Sequence, residues 1–165
     1  MLEILITLVI VAIALLGTAG LQAYAMRVGQ SAQFRTQAVF LASDIAERME
    51  ANKTAAVAGD YNLALTSASS VAATDCATTA CNSTDLASWD KSQWGTAIAS
   101  LLPQATWKIT QTTAGNPSTY EIVISWTDRR TNTKYGTYDA ASSFGVNATG
   151  TGERFSYTAI RTINN

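Results

Sequence analysis

The 165-residue chain contains no histidine. That absence removes the commonest general base, the usual partner of a serine or cysteine nucleophile, and the commonest metal ligand. Cysteine is almost as scarce. The two present, Cys76 and Cys81, have no further cysteine or histidine with which to complete a four-ligand metal shell. No glycine-rich phosphate loop and no acid pair at a recognisable catalytic spacing stands elsewhere, so the sequence carries no enzyme signature and implies no cofactor. Net charge is missing too: eleven Lys and Arg against twelve Asp and Glu leave −1, and no overall field draws the chain to nucleic acid or anionic lipid. Proline is absent from Met1 through Lys53, which leaves room for one long helix.

What is present is unevenly spread. Residues 1–26 read MLEILITLVIVAIALLGTAGLQAYAM and hold one charge, Glu3. As a helix they would span about 39 Å at 1.5 Å per residue, enough to cross a hydrocarbon core of about 30 Å. A cleaved signal peptide is the rival reading, because Ala23-Tyr24-Ala25 matches the small-residue cleavage pattern; against it, the stretch lacks a positive start, opens with an acid and is long for such a peptide. An ordinary single-span anchor accounts for the length but not for Glu3. A carboxylate in an apolar helix is costly in lipid, so it has a partner or sits at the interface. The α-amino group of this chain or of a neighbouring subunit is the natural counter-charge, and the helix N-terminus adds partial positive charge. Pairing across subunits would make Glu3 a register device. Gly17 and Gly20 would each weaken a helix interior by about 1 kcal/mol relative to Ala; they read either as a soft point or as close packing in a membrane helix.

Beyond Arg27 the apolar positions Phe34, Ala38, Leu41, Ile45 and Met49 recur at helical spacing and predict a core-facing stripe. Residues 54–85, rich in Ala, Ser and Thr, read as an extended loop with little regular structure. Inside that loop, Cys76 and Cys81 have a spacing that a local disulfide can close in an oxidising compartment; two free thiols or half of a metal site are the alternatives. Ser83 or Thr84 can cap a helix carrying Leu86, Trp89, Trp94, Ala97, Ile98 and Leu101 and ending before Pro103. From Ala105 the period changes to two. Trp107 and Ile109, then Tyr120, Ile122, Ile124 and Trp126, alternate with polar neighbours around Gly115-Asn116-Pro117-Ser118 and predict an antiparallel hairpin. Arg154 to Thr162 predicts a third strand, with a weaker one at 133–138. The fold class is therefore α+β: a long N-terminal helix packed on a small antiparallel sheet of three or four strands. The expected organisation is a transmembrane or assembly helix over 1–26, its amphipathic continuation over 27–53, and a globular head over 54–165.

The head's densest basic run is Arg129, Arg130 and Lys134, which could meet phosphates or a partner's acids but is narrow for a nucleic-acid surface and reads more simply as solvated turn residues. The Asn-x-Ser/Thr triplets at Asn52, Asn82 and Asn147 arise readily by chance in a chain of this composition.

Met1-Leu2-Glu3-Ile4-Leu5-Ile6-Thr7-Leu8-Val9-Ile10 resembles the N-terminal signal region of type IV pilins and pseudopilins. In that family a prepilin peptidase cuts before the apolar run, the new N-terminus is methylated, and the acid stands two positions further from the mature N-terminus than Glu3 stands from Met1. Either two residues, usually Phe-Thr, precede Met1, or Met1 is itself the mature start. Family helices unwind locally on leaving the bilayer, commonly near a proline that this segment lacks. Ala19-Gly20-Leu21-Gln22, Gln30 to Arg35 and Phe40 to Met49 resemble the PilV group of minor pilins, with a fainter likeness in the cysteine loop and in Ile124 to Asp128. The resemblance implies a bacterial inner-membrane subunit with a periplasmic head that enters a pilus, at its tip. Its partners would be other minor pilins and the major pilin through the N-terminal helix, with a tip adhesin as a further neighbour and no direct nucleic-acid contact. The minor pseudopilins of type II secretion share this logic and are the near alternative; a secreted binding domain freed by cleavage after Ala25 is the distant one.

Overall fold

A computed structural model describes residues 2–70, 72, 74–128 and 153–164. Seven elements follow in order: α1 (Leu2–Ala51), α2 (Lys53–Ala58), β1 (Leu63–Thr66), α3 (Ser83–Leu101), β2 (Thr106–Thr113), β3 (Ser118–Asp128) and β4 (Glu153–Ile163). The chain divides into two compact units, Met1–Gln33 and Phe34–Asn165.

The first unit is the leading stretch of α1. Without proline or a run of polar residues, nothing in its sequence interrupts the i to i−4 ladder.

The second unit is the α+β head, with four antiparallel strands in the order β1-β2-β3-β4. β3 alternates without a fault: Ser118, Tyr120, Ile122, Ile124, Trp126 and Asp128 are buried and the residues between them half-buried. Its register sets Trp107 opposite Ile124 on one side and Tyr157 opposite Ile124 on the other, so the large side chains gather on one face. The helical stripe meets that face. Ala38, Leu41, Ile45 and Met49 join Trp94, Trp107, Tyr120, Ile122 and Ile124 in one core, with Phe34 at its margin. Neither surface could be hidden alone.

Three expectations are corrected. The 54–85 stretch is not uniformly irregular. Its Ala-rich start continues as α2, and Gly59 at φ 92° closes it by donating its N–H to the carbonyls of Ala55 and Ala56. A left-handed residue at that place is the ordinary helix stop, and glycine reaches it without strain. β1 then pairs with β2; four residues with two exposed in the middle are too few to display an alternation. The cap of α3 is Asn82 rather than Ser83 or Thr84: its side-chain oxygen accepts from the Asp85 N–H at 2.8 Å, and its amide donates to the Asp85 carboxylate at 2.9 Å. The buried face of α3 runs through Ala87, Asp90, Trp94 and Ile98, while Leu86 and Trp89 are only partly covered and Leu101 is 44 % exposed. Gly95 allows α3 this close approach, since a Cβ there would come within 3.2 Å of the Trp107 ring and 3.4 Å of the Ser69 backbone. The 133–138 segment lies outside the described residues.

Candidate assembly surface

Every described side chain from Leu2 to Met26 is exposed, including Leu2, Ile4, Leu5, Leu8 and Leu16. The helix is long and apolar enough to cross a membrane. Its hydroxyl groups fit that setting. Thr7 donates its Oγ1 hydrogen to the Glu3 carbonyl at 2.8 Å, and Thr18 donates to Leu15 at 2.9 Å, so each is satisfied by its own backbone and would leave no orphan in lipid. Glu3 stands in the first turn of α1, where the helix dipole favours an anion. Gly17 and Gly20 are both helical, and a Cβ at either would meet nothing within 4 Å. No contact among the described residues requires glycine at those positions.

In the head, three helical or turn segments are locked by a polar clasp under the core. Asp90 of α3, 6 % exposed, accepts from Arg48 Nη1 at 3.1 Å and from the Tyr61 hydroxyl at 2.6 Å. Arg48 also holds Asp44 one turn back through Nε at 3.1 Å. Asn52 donates to the Ser83 carbonyl at 2.7 Å and to the Tyr61 oxygen at 3.3 Å. Burial and then the Asp90 carboxylate push the Tyr61 phenol well above its ordinary value. Burial lowers the Arg48 guanidinium, but its bonds and charge attraction to Asp44 and Asp90 together outweigh that and leave it raised. Nearby, Lys91 donates to the Asp60 and Asn62 carbonyls at 2.5 and 3.4 Å, and burial, only partly offset by Asp60, brings its ammonium down. Trp94 adds a second tie to α1, donating Nε1–H to the Leu41 carbonyl at 2.8 Å.

Cys76 and Cys81 are joined by a disulfide with their Cα atoms 5.5 Å apart. The loop is shaped by Asp75, whose carboxylate accepts from the Ala77 N–H and whose carbonyl accepts from the Thr79 N–H. The triplet asparagines Asn52 and Asn82 are both engaged, one in the clasp and one as a cap; Asn147 lies outside the described residues, as do Arg129, Arg130 and Lys134. Nothing in the residue pattern signalled Tyr61, and little signalled Asp90. The one available hint was an acid at a helical stripe position of α3. Among the described residues no group of three metal-capable side chains gathers.

A long helix with an exposed apolar half, joined to a head in which its second half packs on a four-stranded antiparallel sheet, is consistent with the type IV pilin fold. Residues 20–92, less than half of the chain, match the family described as Tt1218-like, type IV pilin Tt1218. That match supports a type IV pilin. No curated protein and no solved structure gives a significant match.

Proposed function

We propose that this chain is a minor pilin, similar to the PilV group, that joins other minor pilins and the major pilin through residues 1–26 and primes or caps type IV pilus assembly. Before assembly the apolar helix sits in the bacterial inner membrane with the head in the periplasm, where oxidising conditions keep Cys76 and Cys81 paired. Prepilin peptidase processing and N-terminal methylation belong to this reading, as do indirect roles in twitching, adhesion or DNA uptake. Residues 27–53 carry the helix into the head of 54–165.

The observation that carries the reading is the wholly exposed apolar stretch Leu2–Met26 with Glu3 at its start. A surface of that kind has two stable settings, lipid and the packed helical core of a filament. In the second, Glu3 pairs with a neighbour's N-terminal amine and fixes the register. Gly17 and Gly20 supply a place where the helix can loosen on moving from one setting to the other. The yield of pili sheared from cells lacking this gene, against the same cells complemented, tests the proposal. Loss restored by complementation supports it; unchanged pili with impaired protein secretion would transfer the role to a type II secretion pseudopilin.

A further inference from the structure

Cys81 stands directly against α3, because the next residue, Asn82, is the cap of that helix. Two hydrogen bonds tie the first turn of α3 to the rest of the head. The Ser83 carbonyl accepts from the Asn52 side chain at 2.7 Å, and the Thr84 hydroxyl donates to the Asp60 carboxylate at 2.9 Å. The first is only partly buried and the second lies at the surface, so water competes for both. Further along the helix the ties are buried: Asp90 holds the Tyr61 hydroxyl, and Trp94 holds the Leu41 carbonyl.

The chain's single disulfide is therefore a covalent restraint placed at the weakly held end of α3. Closing a loop of this size shifts the order–disorder balance of the segment by a factor of about 40 on the loop-entropy relation. One partly exposed neutral hydrogen bond shifts it by only about 5-fold, so the crosslink outweighs either tie. Asp75 does not duplicate it. Its bonds run to Ala77, Thr78 and Thr79, none of which belongs to α3. The bridge is also within reach of a reagent, since Ala77 to Ala80 are exposed and both cysteines are half-buried.

We infer that Cys76–Cys81 is a redox-operated latch: closed as the disulfide, it holds the first turn of α3 against Asn52 and Asp60, and opened to two thiols, it frees that turn while the helix from Asp90 onward stays in the core. The chemistry is exchange with a dithiol. One thiolate of the dithiol attacks a sulfur of the bridge, and the other bridge sulfur leaves as a thiolate. The second thiol of the reagent then breaks the mixed disulfide. Two electrons and two protons pass to the cysteines, and the dithiol ends as its own disulfide. Thiol-oxidising surroundings close the latch again. The inference concerns the head alone and stands whether or not the N-terminal helix assembles a pilus.

The test compares amide NMR spectra of the full chain in detergent micelles, oxidised and after excess dithiothreitol. Reduction is expected to shift the Asp85 and Leu86 amides, whose N–H groups donate to Asn82 in the closed form. It should also speed exchange of the Asn52 side-chain amide protons by about 10-fold or more, up to the loop-entropy value of about 40-fold. The Ile122 and Ile124 amides of β3 should keep their shifts. Cys76→Ser with Cys81→Ser should reproduce the reduced spectrum and no longer respond to dithiothreitol. Changes confined to residues 75–81 would show that the loop opens while α3 stays pinned, and would overturn the inference. Shifts spread through β3 would overturn it as well, by making the disulfide a support of the whole head rather than of one helix turn.

Discussion

Replacing Asp90 by Ala would take one acceptor from each of two donors. Tyr61, fully buried, would lose a 2.6 Å bond to a carboxylate, and its hydroxyl would be left with the Arg48 carbonyl at 3.4 Å and the Asn52 amide. Arg48 would lose one of its two acids, but its side chain is 34 % exposed and Asp44 still holds it. A bond to a charged group contributes about 1.5 to 3 kcal/mol when buried, and an exposed pair roughly 0.2 to 1 kcal/mol. The Tyr61 bond therefore falls in the upper class and the Arg48 bond near the lower, for a total of about 3 kcal/mol. For a chain of this size each kcal/mol moves the midpoint by roughly 3 °C, so Asp90→Ala should melt about 9 °C below the parent. Asp90→Asn, which keeps an acceptor for Tyr61 but not the charge, should lose about half as much. Tryptophan fluorescence during thermal unfolding in micelles reads both, since Trp94 and Trp107 lie in the same core. A shift of under 2 °C for Asp90→Ala would refute the claim that this clasp ties α3 to α1.

The remaining predictions use other parts of the head. Reducing the Cys76–Cys81 disulfide, or changing both residues to Ser, should cost about 2 kcal/mol by the loop-entropy relation for so short a loop, read as the change in urea midpoint with and without thiol; an unchanged midpoint would show that the loop is fixed by Asp75 alone. Trp94→Phe removes the bond to the Leu41 carbonyl and should cost roughly 1 to 3 kcal/mol, with no loss refuting the tie. The Tyr120 phenol, raised chiefly by burial, binds its proton more tightly folded than unfolded, so its contribution is full below the ordinary value of about 10 and is lost as pH rises through the folded value. Tyr120→Phe should therefore flatten the fall in stability between pH 9.5 and 11.5, measured by urea titration. Lys91 acts in the opposite sense, so the difference between parent and variant carries the test; parallel profiles would refute it.

How much of this could be read in the residues depended on whether the signal was local. The Phe34 to Met49 stripe and the β2–β3 hairpin were legible because apolar spacing and a Gly-Asn-Pro-Ser turn encode them within short windows. α2 and β1 were not, since six residues and four residues give no period to read. The Asn82 cap escaped by a single position because Ser83 and Thr84, equally good capping residues, stand next to it. The clasp was illegible for a different reason. Its members Arg48, Tyr61 and Asp90 are separated by 13 to 42 residues in sequence, and an acid or a tyrosine carries no mark of a partner that only tertiary packing supplies.

The most direct test of the central claim is to find the chain itself in filaments. Pili sheared and purified from cells carrying either the wild-type chain or Glu3→Ala would be probed for this subunit by quantitative mass spectrometry, with the membrane fraction measured in parallel. The wild-type chain should be present in the filaments, and Glu3→Ala should remain in the membrane at normal level while its filament share falls sharply. A wild-type chain absent from filaments and recovered as a soluble form beginning at Met26 would contradict the account.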